Sequence, residues 1–301
     1  MSKTQKGVLL ATLSPVLWGL MTIPIRTLNE YGITGQDLAF FRCAISGCGL
    51  FILNFFINRK ALKIDLKGLL LCAMYGCFCY GISFTAYAFA VSKIPVAVAV
   101  VLMFLCPVWV SIFNLIVFKE KLKPVNTISI AICLVGAILV SNILNVSGES
   151  MSLFGIICAL INGLGAGLQL IIPRYFEKSY SKDTFVIYGF LSSAVMLSLF
   201  TKFGVVGEAV NADPGRVLTN LFFLAAICTL VANYVFVKSA NYIDSTLVSI
   251  ISALEVVVGS IVGVVLYQET MSLPQTIGAV IIVFGALLPN IMPLVKGKSL
   301  T

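Results

Sequence analysis

The chain has no histidine, and only 11% of its 301 residues are charged. The first absence excludes imidazole chemistry: a Ser-His-Asp triad, histidine-ligated zinc, a histidine proton relay. The second excludes a water-soluble coat, because soluble domains carry about 25% charged residues. Paired cysteine motifs are also missing. Cys43, Cys48, Cys72, Cys77, Cys79, Cys106, Cys133, Cys158 and Cys228 all lie in apolar runs, with no CxxC spacing. Neither a disulfide framework nor a metal site is expected. There is no nucleotide-binding motif, so no cofactor is expected and ATP hydrolysis is not the energy source.

What the chain does have is apolar residues, 59% of the total. Stretches of about 20 such residues are long enough to cross a bilayer as helices. Ten are found, at 7–27, 38–58, 68–91, 95–118, 126–146, 153–173, 184–201, 217–237, 245–267 and 274–295. The expected fold class is an all-α membrane protein of ten transmembrane helices. The pieces between them are too short for a soluble domain. The first stretch follows Lys3 and Lys6, exceeds a signal-peptide core and lacks a small-x-small cleavage site, so it reads as a retained helix.

The net charge of +8 is spread over short loops, which argues against a nucleic-acid partner and for a topology signal. With the N-terminus inside, the cytoplasmic pieces hold Lys3 and Lys6, Arg59 to Lys67, Lys119 to Lys123, Arg174 to Lys182, Lys238, Lys296 and Lys298. The outer pieces hold only Arg26, Lys93, Lys202 and Arg216. A multi-pass protein of the plasma (inner) membrane with both termini cytoplasmic is expected.

The halves repeat. FKEKLKPVNTISIAICLVGAIL (118–139) returns as YQETMSLPQTIGAVIIVFGALL (267–288). One constant offset puts Glu120 on Glu269, Gly136 on Gly285 and Tyr87 on Phe236. One residue less puts Gly19 on Gly167 and Arg26 on Arg174. Five helices per repeat is an odd number, so residues 1–147 and 148–301 are expected to cross the membrane in opposite senses. Inverted repeats of this kind hold a midplane site at the repeat interface in secondary transporters.

The arrangement resembles the drug/metabolite transporter superfamily, specifically its EamA-type ten-helix members. The likeness rests on Trp18-Gly19, on Arg42 in FFRC, on Cys106-Pro107-Val108, and on Glu120 and Glu269 before a Gly-Ala-Leu helix. One departure is Leu254-Glu255-Val256, where the acid of the family's acidic-proline pair is kept and the proline is absent. The resemblance implies an alternating-access carrier for a small polar or amphipathic metabolite, often an exporter. It places helices 1–4 and 6–9 around the path.

Glu255 is the one acid in the middle of a span. A carboxylate there costs about 2.5–3.5 kcal/mol on insertion scales, so it faces a partner or a wet cavity, or stays protonated. Two working roles fit it, coupling of protons and balancing a cationic substrate; the structural alternative is a carboxyl hydrogen-bonded between helices. Arg42, one turn into the second helix, is the candidate charge partner for a substrate carboxylate, or else a snorkelling or packing residue. Lys238 reads as an interface anchor.

Polar and aromatic residues recur at helical spacing on the path helices. Ser14, Trp18 and Met21 have repeat mates Asn162, Ala166 and Gln169. Tyr80, Ser83 and Tyr87 share a face, as do Thr229 and Asn233, and Ser252 lies a turn before Glu255. The candidate substrate and coupling set is therefore Glu255, Trp18, Ser14, Tyr80, Tyr87, Asn162, Gln169, Asn233 and Ser252. Such residues also glue helices together in lipid. Gly163, Gly165 and Gly167 read as close helix approach, and Pro107, Pro24 and Pro173 as kinks or hinges.

The expected function is secondary active transport, with a small-molecule substrate, protons and the lipid bilayer as partners, in a monomer or homodimer. An enzyme is not expected, for want of an acid–base or metal cluster. A flippase for a lipid-linked intermediate, or a non-transporting membrane subunit, are the alternatives.

Overall fold

The protein is described by a computed structural model covering residues 2–141, 143 and 152–295. Each expected apolar stretch is helical there. The first span is α1 (Lys3–Leu20) and α2 (Thr22–Glu30), and the second is α3 (Gly35–Ile57). The third joins α4 (Leu66–Gly76), a π-helical stretch Cys77–Ile82 and α5 (Ser83–Lys93). The fourth is α6 (Val96–Met103) with α7 (Cys106–Val117), and the fifth is α8 (Pro124–Val140). The second half follows with α9 (Leu153–Tyr175), then α10 (Lys182–Ser198) and α11 (Phe203–Ala212). The eighth span is α12 (Pro214–Phe222), a π-helical stretch Phe223–Val231 and α13 (Ala232–Ser239). The ninth is α14 (Ser245–Ile251) with α15 (Leu254–Tyr267), and the last is α16 (Leu273–Val295). Among the described residues there is no strand.

Seven of these stretches are long and apolar enough to cross a membrane unaided, and α10 with α11 forms an eighth, bent by 97°. The apolar helices Pro124–Val140 and Leu273–Pro289 are shorter. The end of the expected fifth span, Lys296 and Lys298 lie outside the described residues.

Local signals start the helices where the polar connectors end. Ser2 and Gln5 form a reciprocal capping box at α1. Asp65, Ser152, Ser181, Asp213 and Asp244 each accept a backbone N–H at the start of α4, α9, α10, α12 and α14. Between the caps the exterior is apolar: Phe56 and Ile57 are each 75% exposed, while Ser14, Ser46 and Ser193 are fully buried. This inverted pattern is what a lipid solvent selects, since polar groups must find partners inside.

Breaks fall where the sequence supplies them. α6 stops at Phe104, and Pro107 starts the first turn of α7, where its missing N–H costs nothing. The sharp turn after Ser198 was not expected: α11 occupies a segment with the length of a loop. Its buried Val206 and Ala209 pack with Leu28, Ile33 and Leu38 of the first half.

The halves interlock in a crossed pattern. α1 packs on α13 and α15 of the second half, while α9, its repeat mate, packs on α5, α6 and α7 of the first. Close approach needs glycine here. A Cβ on Gly163 would sit 2.8 Å from the Met103 carbonyl oxygen, and one on Gly165 2.6 Å from Ser83 Oγ. The GxGxG run is a packing surface. α8 and α16 pair to one side.

Candidate functional site

A cavity of about 140 Å³ lies where the two halves meet. An engineered apolar cavity of about 150 Å³ holds a benzene-sized molecule, so the space suits a small solute. Trp18, Met21, Arg42, Ser83, Phe84, Tyr87 and Met103 line it from the first half. The second half contributes Asn162, Ala166, Gln169, Asn233 and Glu255. Among the described residues the fifth, seventh and tenth spans contribute nothing.

Five of the six repeat-related positions on α1 and α9 thus reach one space. Trp18 also meets Phe236 with ring centroids 4.9 Å apart. The exception is Ser14, fully buried with its hydroxyl donating to the Ala11 carbonyl at 3.0 Å. Two further candidates fall outside the lining. Tyr80 sits within the π-helical stretch, whose extra residue per turn rotates it off the face of Ser83 and Tyr87. It stacks on Phe190 at 4.1 Å and shares a 3.0 Å hydrogen bond with the Tyr75 hydroxyl. Ser252 lies in the α14–α15 break and donates to the Ser249 carbonyl at 2.7 Å.

The break after Ile251 gives Glu255 its setting, in the first turn of α15, where a helix N-terminus favours negative charge. Among the described residues no hydrogen bond or ion pair occupies its carboxylate. Arg42 does not snorkel. Its Nε donates to Thr229 Oγ1 at 2.9 Å, and its guanidinium lies 4.2 Å from the centre of the Phe84 ring. That cation–π contact and the hydrogen bond fix the side chain and leave its terminal amino groups for the cavity. Thr229 is freed for this by the second π-helical stretch, in which its own hydroxyl donates to the Leu224 carbonyl at 2.8 Å.

The three amides have a forced orientation. Asn162 donates to the Ser83 carbonyl at 3.0 Å, Gln169 to the Cys79 carbonyl at 3.1 Å, and Asn233 to the Thr229 carbonyl at 2.8 Å. A backbone carbonyl only accepts, so each amide must turn its NH2 to the protein. Their oxygens take no protein donor among the described residues, and none is shut away without a partner. These buried side chains therefore open acceptor oxygens on the cavity. The wall offers four acceptor groups, Glu255 included, and three side chains with donors, Arg42, Trp18 and Tyr87.

Beyond the cavity, charged residues pair across the halves. Arg26 meets Glu269 at 2.6 Å and lies 4.1 Å from the Tyr267 ring centre. Arg174 meets Glu120 at 3.0 Å and lies 4.2 Å from the Phe118 ring centre. Every member has its repeat mate in the other pair. The sequence aligns these residues but gives no sign that they touch. Lys238, expected as an anchor, pairs at 2.9 Å with Asp183. Phe84 and Met103 also went unforeseen, because an apolar residue in an apolar run carries no signal.

A helical bundle that buries its polar groups, coats itself in apolar side chains and holds a cavity between two repeats defines a multi-pass membrane transporter. The EamA-like transporter family model matches the chain twice, at residues 5–142 and 153–291, and the chain belongs to that family. An uncharacterized transporter of Archaeoglobus fulgidus is 24% identical over 204 residues, 67% of this chain and 70% of the relative. The uncharacterized inner membrane transporter YicL of Salmonella typhimurium is 22% identical over 96% of both chains. One from Helicobacter pylori strain J99 is 23% identical over 96% of both. A solved crystal structure shares the fold with a TM-score of 0.74 at 16% identity, covering 96% of this chain and 97% of the other.

Proposed function

We propose that this protein is a secondary active carrier that moves a small polar or amphipathic metabolite outward by alternating access at the plasma membrane. The halves are taken as 1–147 and 148–301, with both termini in the cytoplasm. The observation that carries the reading is the cavity built from both halves, with Arg42 and Glu255 opening on it and not bonded to each other. A charge kept in the membrane without a fixed partner is costly, and a passing solute or proton provides the partner. The amide and carboxylate acceptors favour a solute that brings N–H donors, with apolar flanks against the rings of Trp18, Phe84 and Tyr87. Arg42 suits a carboxylate on the same solute. Glu255, with no histidine to share the task, is the proton-coupling group.

The test is a thermal-shift screen of amino acids, amines, sugars and nucleosides on purified protein, followed by flux of the hits in proteoliposomes. Saturable counterflow of a hit supports the carrier. Hits that bind without counterflow reduce the protein to a receptor or subunit.

A further inference from the structure

Of the four ion pairs that join the halves among the described residues, Arg26–Glu269 and Arg174–Glu120 are built alike down to the backbone. Lys119 and Gln268 are the two non-glycine residues with left-handed backbone among the described residues, at φ 55° and 56°. They are repeat mates, and each ends a helix in the left-handed turn that reverses the chain. The next residue, Glu120 or Glu269, then donates its N–H to the carbonyl of Asn114 at 3.1 Å or of Gly263 at 3.2 Å. Asn114 and Gly263 are repeat mates as well. Each turn thus aims a glutamate at an arginine on the other half. Arg26 and Glu269 close the ends of odd-numbered spans and Glu120 and Arg174 those of even-numbered ones, so the pairs sit at opposite membrane faces.

The asymmetry directly behind the glutamates lies at one repeat position, Asn114 against Gly263. Asn114 is buried and accepts from Arg174 Nη1 at 3.2 Å. Its NH2 donates to Ser245 Oγ at 2.9 Å and Thr246 Oγ1 at 3.0 Å. The arginine can only donate, so this orientation is fixed. One amide therefore ties α7, α9 and α14 together behind the ion pair, and Lys123 pairs with Asp244 alongside at 3.6 Å. At the other face Gly263 supplies no side chain. A Cβ there would run into the Glu269 carboxylate. The Arg26–Glu269 side chains are 42% and 49% exposed and those of Arg174–Glu120 25% and 43%, so the difference lies in the arginines. Exposed lone pairs contribute little, and networked, partly buried ones contribute more.

We propose that the pairs are the two latches of the carrier and that Asn114 is the positioning residue that makes them unequal. The Arg26–Glu269 latch opens first, so the unliganded cavity communicates with the Arg26 face, and opening at the Arg174 face requires the Asn114 ties to break. This inference rests on the carrier reading above, yet its test reads cavity access and needs no substrate.

The chain has two tryptophans, and Trp18 lines the cavity. Trp109 is outside it, with a buried indole N–H that has no partner, so Trp109→Phe leaves Trp18 as a sole reporter at small cost. In proteoliposomes of uniform orientation, iodide on the Arg26 face is expected to quench Trp18 and iodide on the Arg174 face is not. Asn114→Ala should raise quenching from the Arg174 face severalfold, and Asn114→Asp, which keeps an acceptor for Arg174, should restore the low value. Should Asn114→Ala fail to fold, Glu120→Gln cuts the same latch and should act in the same direction. Gly263→Ala, which displaces Glu269, should raise quenching from the Arg26 face alone. Equal quenching from both faces of the Trp109→Phe protein, or quenching from the Arg174 face untouched by these latch variants, overturns the proposal. If access behaves as expected and no solute is ever moved, the carrier reading fails and the latches stand.

Discussion

Arg42 and Glu255 open on one cavity from opposite halves of the protein and make no ion pair with each other. Had they paired, the cavity would be electrically quiet and its polar wall merely structural. Held apart, each presents its charge to whatever occupies the space between them.

Replacing the acid should separate coupling from folding. Glu255→Gln keeps the shape of the side chain and removes its proton, so the variant should insert and bind solute normally. Its flux should no longer respond to an imposed pH gradient. A variant whose flux still follows the gradient would remove Glu255 from the coupling.

Arg42→Lys preserves the charge and loses the Nε bond to Thr229 and the planar contact with Phe84. The two cations are not interchangeable where stacking and a directed donor fix the group. The expected result, by titration calorimetry, is affinity for a carboxylate-bearing solute about tenfold weaker, or about 1.4 kcal/mol.

Filling the cavity should block binding and leave the fold intact. Ala166 lines the space from α9, half-buried and unconstrained by a hydrogen bond. Ala166→Leu is expected to abolish solute-induced thermal stabilisation while the melting temperature without solute stays near that of the parent. An unaltered thermal shift would put the binding site elsewhere.

Packing between α9 and α5 has little slack. A methyl on Gly165 would lie 2.6 Å from Ser83 Oγ, inside any permitted contact, and would push apart the Asn162–Ser83 bonds. Gly165→Ala should destabilise the folded protein by about 1–3 kcal/mol, the usual range for overpacking. Denaturation in detergent measures it.

The Arg174 guanidinium holds the Glu120 carboxyl below its ordinary value of 4.5. A carboxyl lowered in the native state contributes stability that is full above the ordinary value and lost as pH falls through the native one. The Arg174 latch should therefore stay shut between about pH 7 and about pH 5, and loosen only at stronger acidity. Iodide quenching of Trp18 from that face, followed across the range, is the check.

Much of this was legible in the sequence because lipid enforces simple rules. Helix length, the absence of charge and the repeat offset marked the long apolar helices and aligned Trp18 and Met21 with Ala166 and Gln169, which the folded chain brings to one space with Asn162. The failures came where 3.6-residue periodicity is interrupted. Tyr80 sits in a π-helical stretch and Ser252 in a helix break, so both leave the face that regular spacing assigns. Ser14 keeps the face but satisfies itself on its own helix. Phe84 and Met103 carry no polar mark, and α11 hides in what looks like connecting chain. The two arginine–glutamate pairs were visible as aligned letters, but contact between residues so far apart in sequence needs the folded chain.

The bent helix α11 has a mechanical consequence. It packs with Leu28, Ile33 and Leu38 of one half while belonging to the other, and the chain has only the short turn Arg59–Leu62 between its second and third spans, where an equivalent would stand. Both rims are thus tied between the halves, but unlike: by apolar packing at α11, and at the other rim by Thr184 and Tyr188, whose hydroxyls donate to the Ala61 and Leu62 carbonyls at 2.8 Å each. α11 holds the end of the first span at Leu28, so separation at the Arg26 face is confined to the seam between that end and the end of the ninth span, where Arg26 meets Glu269. Apolar packing is non-directional and lets surfaces slide, whereas hydrogen bonds hold an angle, so two nominally equal halves rock on unlike pivots at their two ends.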